Sequence, residues 1–262
     1  MTRRAVWLIG RGIGYSASPA LHNAAFTACG MDLHYGLLDI PPEAVAQALD
    51  RVRNEAVGAN VTTPHKVAAA AHVDELSADA SEVGAVNTLV LDPQGRLIGH
   101  NTDLPALVDE IAAIRSGARH AVVLGGGGAG RAVTLALGRA GAECVSVVSR
   151  RAEWGHSADD LPRLLADADL LINATPVGTE GDDSPISAQL LRPGLAVLDL
   201  VYRPSPTRLV SDARALGAPA RAGAGLLLGQ GRRSFELWLH HPAPVDVMRE
   251  ALRRELGGNA DV

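Results

Sequence analysis

Aromatic residues are scarce in this chain, where three Trp, three Tyr and two Phe make up only 3% of 262 residues. Hydrophobic residues nevertheless reach 47%, a fraction typical of a globular protein. The cores must therefore be packed mainly from Ala, Val, Leu and Ile. The length suits one large domain or two modest ones, each with its own core.

The chain also has only two cysteines, no metal-ligand spacing and no excess of basic charge. Cys29 and Cys144 lie far apart in unrelated contexts, so neither a disulfide framework nor a CxxC metal site is supported. The histidines show no ligand spacing such as His-Glu-x-x-His, and no metal is predicted. The formal net charge is −5 and no basic stripe is present, so we expect no nucleic-acid partner.

Long apolar runs are missing as well, since none approaches the roughly 20 residues that span a bilayer. The apolar segment Ala5–Ile9 follows two arginines but ends at Gly10, and no cleavage-site pattern comes after it. We interpret it as a first strand and not as a signal peptide. The expectation is a cytoplasmic protein without a membrane partner.

The first hundred residues alternate strand-like and helix-like segments, as an α/β architecture requires. The predicted strands are Ala5–Gly10, His34–Ile40, Gly58–Val61, Ala85–Leu91 and Arg96–Gly99. The predicted helices are Pro19–Ala28, Pro42–Arg53 and Val67–Leu76.

A second unit is predicted to begin near Leu104, with strands at His120–Leu124, Glu143–Val148, Leu170–Ala174 and Ala196–Val201. Its helices are predicted after the first strand through Ala140, at Ala158–Ala166 and at Thr207–Leu216. The tail segments Leu226–Leu239 and Val245–Glu255 read as helices with no strand of their own. We expect them to return and pack on the first domain.

The segment Gly125–Gly130 has the spacing Gly-x-Gly-x-x-Gly between a strand and a helix, with another strand following within about 30 residues. In that context small residues let the backbone approach a pyrophosphate at a helix N-terminus. The segment predicts a dinucleotide site. A tight turn without a ligand is the alternative.

The residues after the next strand bear on which dinucleotide is bound. An NAD site usually places an acid there, whereas this chain has Ser149, Arg150 and Arg151. Guanidinium groups and a hydroxyl suit a 2′-phosphate better than a free ribose, which favours NADP and leaves NAD open. A solvent-exposed basic turn would also explain these residues.

Polar clusters in the first domain lie at strand ends or helix starts. Ser16 and Ser18 precede a predicted helix, where one can cap it and the other can bind an anion. In Asn60-Val-Thr62-Thr-Pro-His-Lys66 the lysine falls in a first helical turn, where the helix dipole disfavours a cation. That placement suggests a chemical role for Lys66, with a snorkelling surface lysine as the alternative. Asp103 caps the next helix or orients a hydroxyl beside this lysine.

Together these segments resemble the shikimate dehydrogenase family, whose motifs recur in order from Ile9 to about Trp238. The matching segments are Gly10-x-x-Ile13-x-x-Ser16-x-Ser18-Pro19-x-x-His22-Asn23, Asn60-Val-Thr62-x-Pro64-x-Lys66, Gly84-Ala-Val-Asn87-Thr88, Asn101-Thr-Asp103, Asn173-Ala-Thr-Pro-x-Gly178, Asp199-x-Val201-Tyr202-x-Pro204-x-x-Thr207 and Gly225-Leu-Leu-Leu-x-Gln230.

The resemblance implies an α/β fold with an N-terminal mixed-sheet substrate domain, 1–103 completed by 224–262, and a Rossmann-like dinucleotide-binding domain, 104–223. It implies NADP-dependent reduction of 3-dehydroshikimate to shikimate, with Lys66 and Asp103 as the catalytic pair. The implied substrate-binding residues are Ser16, Ser18, Asn60, Thr62, Asn87, Tyr202 and Gln230. The implied cofactor-binding residues are Gly125, Gly127, Gly128, Gly130, Ser149, Arg150, Arg151, Asn173, Thr175, Gly178, Val201 and Gly223.

Three departures from the family pattern limit what the resemblance implies. Tyr15 stands where the family often has His, and Gly12 where it usually has Pro, so the cyclic hydroxy acid can be shikimate, quinate or aminoshikimate. Ser149-Arg150-Arg151 replaces the common Asn-Arg-Thr. The stretch from Arg151 to Leu170 is shorter than usual, which leaves NAD as a cofactor alternative.

The alternatives are therefore an NAD-dependent quinate or aminoshikimate dehydrogenase and a non-catalytic ligand sensor on the same fold. The presence of both Lys66 and Asp103 argues against the sensor, which has less use for a proton-transfer pair. The oligomeric state is expected to be a monomer or a homodimer.

Overall fold

The computed structural model describes residues 4–150 and 155–258. Contacts divide the chain into two compact units, one running to Asp103 and including Leu228–Glu255, the other comprising Leu104–Leu227. The limits 1–103 with 224–262, and 104–223, remain predictions of where the two domains begin and end. No helix in the described part of the chain is long and apolar enough to cross a membrane.

The first unit contains a six-stranded mixed sheet in the order β2-β1-β3-β5-β6-β4. Its strands are β1 (Arg4–Gly10), β2 (Leu33–Asp39), β3 (Ala56–Val61), β4 (Glu75–Leu76), β5 (Thr88–Leu91) and β6 (Leu97–His100). β1 pairs in parallel with β2 and β3, whereas β5 runs antiparallel to both β3 and β6. The predicted mixed sheet is confirmed.

Helices cover both faces of this sheet. They are α1 (Ser18–Ala28), α2 (Val45–Glu55), α3 (Lys66–Ala70), α4 (Ala78–Val83) and α10 (Val245–Glu255), with most of α9 (Ala224–Leu239). Side chains alternate along β3, so that Ala59 and Val61 join the core that α2 covers. A Cβ on Gly58 would lie 2.4 Å from Trp238 Cδ1 of α9, on the opposite face.

The C-terminal helices pack on the first unit, as predicted. α10 packs against α1, and Trp238 Nε1 of α9 donates a hydrogen bond of 2.9 Å to Leu89 O. This places the side chains of α9 over the same sheet face as Asn60.

The second unit contains a fully parallel five-stranded sheet in the order β11-β10-β9-β7-β8. Its strands are β7 (His120–Leu124), β8 (Cys144–Val148), β9 (Leu170–Asn173), β10 (Ala196–Asp199) and β11 (Ala220–Arg221). The helices are α5 (Asp103–Arg115), α6 (Gly128–Arg139), α7 (Leu161–Asp167) and α8 (Arg208–Ala215). The sheet is Rossmann-like, as predicted, and the loops after β7, β8, β9 and β10 all leave from its carboxyl edge.

One predicted helix is wrong at its C-terminal end. The segment predicted as helix over Val67–Leu76 is helical only to Ala70, and Glu75–Leu76 pairs with β6. Asp74 anchors this turn, because its backbone N–H donates to Leu97 O at 2.9 Å and its carboxylate accepts from Leu97 N at 2.6 Å. The long-range strand pairing overrides the helical propensity of the alanine run.

Candidate active site

The structure brings Lys66 and Asp103 together in the first unit. Lys66 Nζ donates a hydrogen bond to Asp103 Oδ2 at 2.7 Å. The lysine side chain is 33% exposed and the carboxylate 21% exposed, so the pair is partly shielded yet open to a ligand. A charge-assisted contact of this length holds the ammonium at a defined point.

Lys66 is positioned by the segment that connects β3 to α3. Thr62 N–H donates to Ile9 O at 2.8 Å and His65 N–H to Thr62 O at 2.9 Å, which folds the segment into a turn. The buried His65 ring lies 3.0 Å from Ile40 O through Nε2. Lys66 is then the first residue of α3, which puts it in a first helical turn as predicted, and its carbonyl accepts from Val86 N–H.

Asp103 is positioned by the end of β6 and by Asn87. Asn87 Oδ1 accepts from Thr102 N–H at 2.7 Å, and Asn101 Nδ2 donates to Ala85 O at 2.9 Å. Both asparagines are buried, which fixes the chain immediately before Asp103. Asp103 begins α5, as a helix-starting acid should.

Asn60 is engaged within the protein, although the sequence analysis assigned it to substrate hydroxyls. Its Oδ1 accepts from Tyr35 Oη at 2.8 Å, and its Nδ2 lies 3.0 Å from each of three acceptors: Asn87 O, Thr88 Oγ1 and Ser234 Oγ. Burial raises the pKa of the Tyr35 phenol, which therefore stays protonated as a donor. These contacts give Asn60 a supporting role beneath the site. Its contact with substrate hydroxyls stays a prediction, because Oδ1 can accept a second hydrogen bond.

The loop carrying the two serines is held by Asp39, at the end of β2. Asp39 Oδ2 accepts from Gly12 N–H at 2.9 Å and from Ile13 N–H at 3.3 Å. Neither serine occupies the N-cap position of α1, which is Ala17 without a side-chain cap. Ser16 Oγ instead accepts from Ser18 N–H at 3.2 Å.

Three further predicted substrate residues occupy separate elements. Thr62 follows β3 and is half-buried; Gln230 lies on α9, buried, and its carbonyl accepts from Ser234 Oγ at 3.0 Å. Tyr202 belongs to the second unit, in the loop after β10, where it is half-buried.

The glycine loop joins β7 to α6 with the backbone that a dinucleotide site requires. Gly125 has a φ of +108°, and its N–H donates to Val148 O at 2.8 Å. A Cβ on Gly130 would lie 1.8 Å from Gly125 O, so only glycine fits this turn. A Cβ on Gly127 or Gly128 would meet open space, and both residues are exposed at the N-terminus of α6, where an anion is favoured.

Ser149 and Arg150 follow β8 at the same sheet edge. Ser149 is half-buried with its N–H bonded to His156 O at 3.0 Å, and Arg150 is exposed. Arg151 lies outside the described residues. The exposed Arg150 guanidinium is available for the phosphate contact that the sequence predicts.

The predicted cofactor residues after β9 and β10 form one hydrogen-bonded group. Asn173 Oδ1 accepts from Thr175 N–H at 3.0 Å and from Thr175 Oγ1 at 2.7 Å, which closes the turn that leads to Gly178 (φ +99°). Asn173 Nδ2 donates to Asp199 Oδ1 at 2.8 Å. Gly223 N–H donates to Val201 O at 3.0 Å.

The residues that support the site were not predicted from the sequence; they are chiefly Tyr35, Asp39, Ser234 and Asp199. Asp199 stood inside a matched motif and Asp39 at a strand end, so both carried a signal. Tyr35 and Ser234 carried none, because an ordinary strand or helix residue looks the same in sequence.

Family comparisons agree with the motifs. The model of the "Shikimate dehydrogenase substrate binding domain" matches residues 8–89, and that of the "Shikimate 5'-dehydrogenase C-terminal domain" matches residues 223–253. A shikimate dehydrogenase (NADP(+)) of Symbiobacterium thermophilum is 41% identical over 97% of this chain and 95% of its own length. One from Halobacterium salinarum is 44% identical over 95% and 98%.

Solved structures agree as well. A shikimate 5-dehydrogenase from Thermus thermophilus, in complex with NADP(H) and shikimate, has a TM-score of 0.87 at 39% identity, covering 97% of this chain and 100% of its own. A quinate dehydrogenase from Corynebacterium glutamicum in complex with NAD has a TM-score of 0.89 at 29% identity, covering 96% and 99%. With relatives above 40% identity over nearly its whole length, the chain belongs to the shikimate dehydrogenase family.

Proposed function

We propose that this chain catalyses the reversible NADP-dependent reduction of 3-dehydroshikimate to shikimate, with Lys66 and Asp103 as its proton-transfer pair. The observation that carries the proposal is the 2.7 Å contact between Lys66 Nζ and Asp103 Oδ2 in a partly exposed position. Relatives named shikimate dehydrogenase (NADP(+)) support the substrate and the cofactor.

Hydride chemistry comes from the nicotinamide when the cofactor is bound. Reduction of a carbonyl builds negative charge on its oxygen, and a neighbouring ammonium both stabilises that charge and supplies the proton. Lys66 performs this step in the proposal. Asp103 holds the ammonium in place and accepts a hydrogen bond from the ring hydroxyl next to it.

The residues present fit a phosphorylated dinucleotide. The α6 N-terminus with the open positions of Gly127 and Gly128 would hold the pyrophosphate, and Ser149 and Arg150 would hold the 2′-phosphate. The turns around Thr175 and Val201 would hold the remainder of the cofactor.

Substrate recognition follows from the loops of the first unit. In the proposal Ser16 and Ser18 bind the ring carboxylate, and the assignment of Tyr202 to the substrate stays a prediction from the family resemblance. Ring hydroxyls are bound by Asn60, Thr62, Asn87 and Gln230, and Asn60 also holds Asn87 and α9 in position from below.

A second candidate is NAD-dependent oxidation of quinate, favoured by the similarity to the Corynebacterium glutamicum enzyme. The test offers purified protein shikimate and quinate, each with NADP+ and NAD+, and follows the absorbance of the reduced nicotinamide. We expect the highest kcat/KM with shikimate and NADP+. A preference for quinate with NAD+ would select the second candidate, and saturable ligand binding without turnover would indicate a sensor.

A further inference from the structure

Asp199 is a carboxylate with no exposed surface, at the last position of β10. Its three hydrogen-bond donors are neutral: Asn173 Nδ2 at 2.8 Å, Val201 N–H at 3.1 Å and Thr207 Oγ1 at 2.7 Å. Burying a charge that is held only by neutral groups is costly, and apolar residues of similar volume often serve stability as well or better. Its presence therefore calls for a reason beyond the stability of the fold.

The three donors connect Asp199 to two loops at the carboxyl edge of the sheet. Asn173 closes the turn after β9 by accepting twice from Thr175 and donating to Val177 O at 3.2 Å. Thr207 caps α8 by accepting from Val210 N–H at 3.3 Å and so ends the loop after β10. The Asp199 carboxylate thus holds the start of the loops after β9 and β10, and it also holds Thr207 at the end of the second loop.

The strand order tells which part of a dinucleotide these loops would face. β8 and β7 carry the basic residues and the glycine loop, whereas β9 and β10 lie on the other side of β7. On the proposed function, the adenosine half with its 2′-phosphate lies over β8 and the pyrophosphate over β7. The nicotinamide half then falls to the loops that follow β9 and β10.

We infer that Asp199 is a positioning residue for the nicotinamide half of the cofactor, acting through Asn173, Val201 and Thr207. This inference rests on the proposed function. The inferred role of Asp199 differs from that of residues that would bind the adenosine half, such as Arg150. It also differs from that of a residue that only stabilises the domain.

The test compares two ligands on one variant. Asp199→Asn keeps the shape but loses the negative charge. Its amide NH2 can then face only the Thr207 hydroxyl, because the other side of the group meets two N–H donors. We expect calorimetry to show binding of NADP weakened at least about tenfold, since hydrogen bonds to charged groups are the strong ones. The fragment 2′-phospho-ADP-ribose, which lacks nicotinamide, should bind within about twofold of wild type.

Thr207 provides a milder pair in case Asp199→Asn does not fold. Thr207→Val removes the hydroxyl and should weaken NADP selectively, by less than Asp199→Asn, whereas Thr207→Ser should restore wild-type affinity. Because Thr207 also caps α8, Ser187→Ala serves as a control. Ser187 caps the 3-10 turn Ala188–Leu190 in the same unit, and its loss should leave both ligands unaffected.

The possible outcomes distinguish a failure of the proposed function from a failure of the inference about Asp199. Wild-type protein that binds neither NADP nor the fragment would overturn the proposed function and this inference with it. Wild-type binding with unchanged NADP affinity in the variants would overturn the inference alone. Equal weakening of both ligands, or failure of Thr207→Ser to restore affinity, would show that the network only maintains the fold.

Discussion

His22 is a fully buried imidazole whose burial makes the first unit sensitive to acid. It has no exposed surface, and neither ring nitrogen has a hydrogen-bond partner among the described residues. The ring stacks on Tyr35 with centroids 4.5 Å apart and planes 9° apart, and it lies 5.2 Å from the Trp238 ring. Burial lowers the pKa of His22 from 6.5 to about 3, because desolvation penalises the charged imidazolium.

The sign of the pH effect follows from proton binding in the two states. Between pH 6.5 and about 3 the unfolded chain binds a proton at His22 that the folded chain refuses, so stability falls as the pH is lowered through this window. The slope approaches about 1.4 kcal/mol per pH unit. At pH 5 the free energy of unfolding should be about 2 kcal/mol lower on account of His22 alone.

The variant His22→Phe keeps a flat ring on Tyr35 but cannot titrate. We expect the free energy of unfolding of the wild type to decrease more steeply between pH 7.5 and about pH 5 than that of the variant, by about 2 kcal/mol over the interval. Only the pH dependence of the free energy of unfolding is comparable between wild type and variant, because the substitution also changes packing. The difference between the two pH slopes cancels the other titrating groups.

Urea unfolding followed by tryptophan fluorescence provides the measurement. Trp7 and Trp238 belong to the first unit. A Trp154→Phe background therefore restricts the signal to that unit, in a two-unit protein that need not unfold in one step. His22→Gln is the second non-titrating variant and should show the same shallow slope. Parallel slopes in wild type and variants would refute the reasoning, since the folded protein would then accommodate a protonated His22.

The remaining predictions concern the site and its support. Lys66→Ala should lower kcat at least about 10²-fold with a smaller change in KM, and an unchanged kcat in steady-state assays would remove it from the mechanism. Arg150→Ala should raise the KM for NADP and spare NAD, so equal loss with both cofactors would contradict the phosphate contact. Gly130→Ala should abolish NADP binding in calorimetry because its Cβ would overlap Gly125 O, and retained affinity would show that the turn can shift. Tyr35→Phe should lower the free energy of unfolding by about 1–3 kcal/mol by leaving a buried amide acceptor without its donor, and an unchanged urea midpoint would contradict this.

Local patterns predict most of the elements. β7 and α10 have the predicted limits, because a continuous apolar run and an amphipathic repeat each leave one interpretation. The helix predicted beyond Ala70 is wrong because of a long-range contact. The pairing of Glu75–Leu76 with β6 depends on the contact between Asp74 and Leu97, which no local sequence pattern indicates. The two-residue strand β11 was missed for the same reason.

The residues proposed to act on the substrate are easier to predict from the sequence than the residues that hold them in place. Lys66 and Asp103 are 37 positions apart, yet each stands at its own helix start, where the lysine is unusual and the acid is ordinary, and the motif match joins them. The supporting residues show no such local signal in the sequence. Ser234 meets Asn60 across 174 positions only because Gly58 and Asn60 share the sheet face that α9 covers.

This contrast has a physical origin in how the two kinds of residue are used. A catalytic group must be exposed to its ligand, so it occupies a strand end or helix start, and such ends are visible in sequence through caps and turns. A supporting group only needs a buried partner, and any small polar side chain at the right depth can provide one. Asn60 belongs to both descriptions. Its motif position predicts ligand contact, and its neighbours take both Nδ2 protons and one of the two acceptor positions of Oδ1. Counting donors and acceptors in the folded chain, which the motif alone cannot do, leaves Oδ1 as the Asn60 side-chain atom with capacity for a ligand.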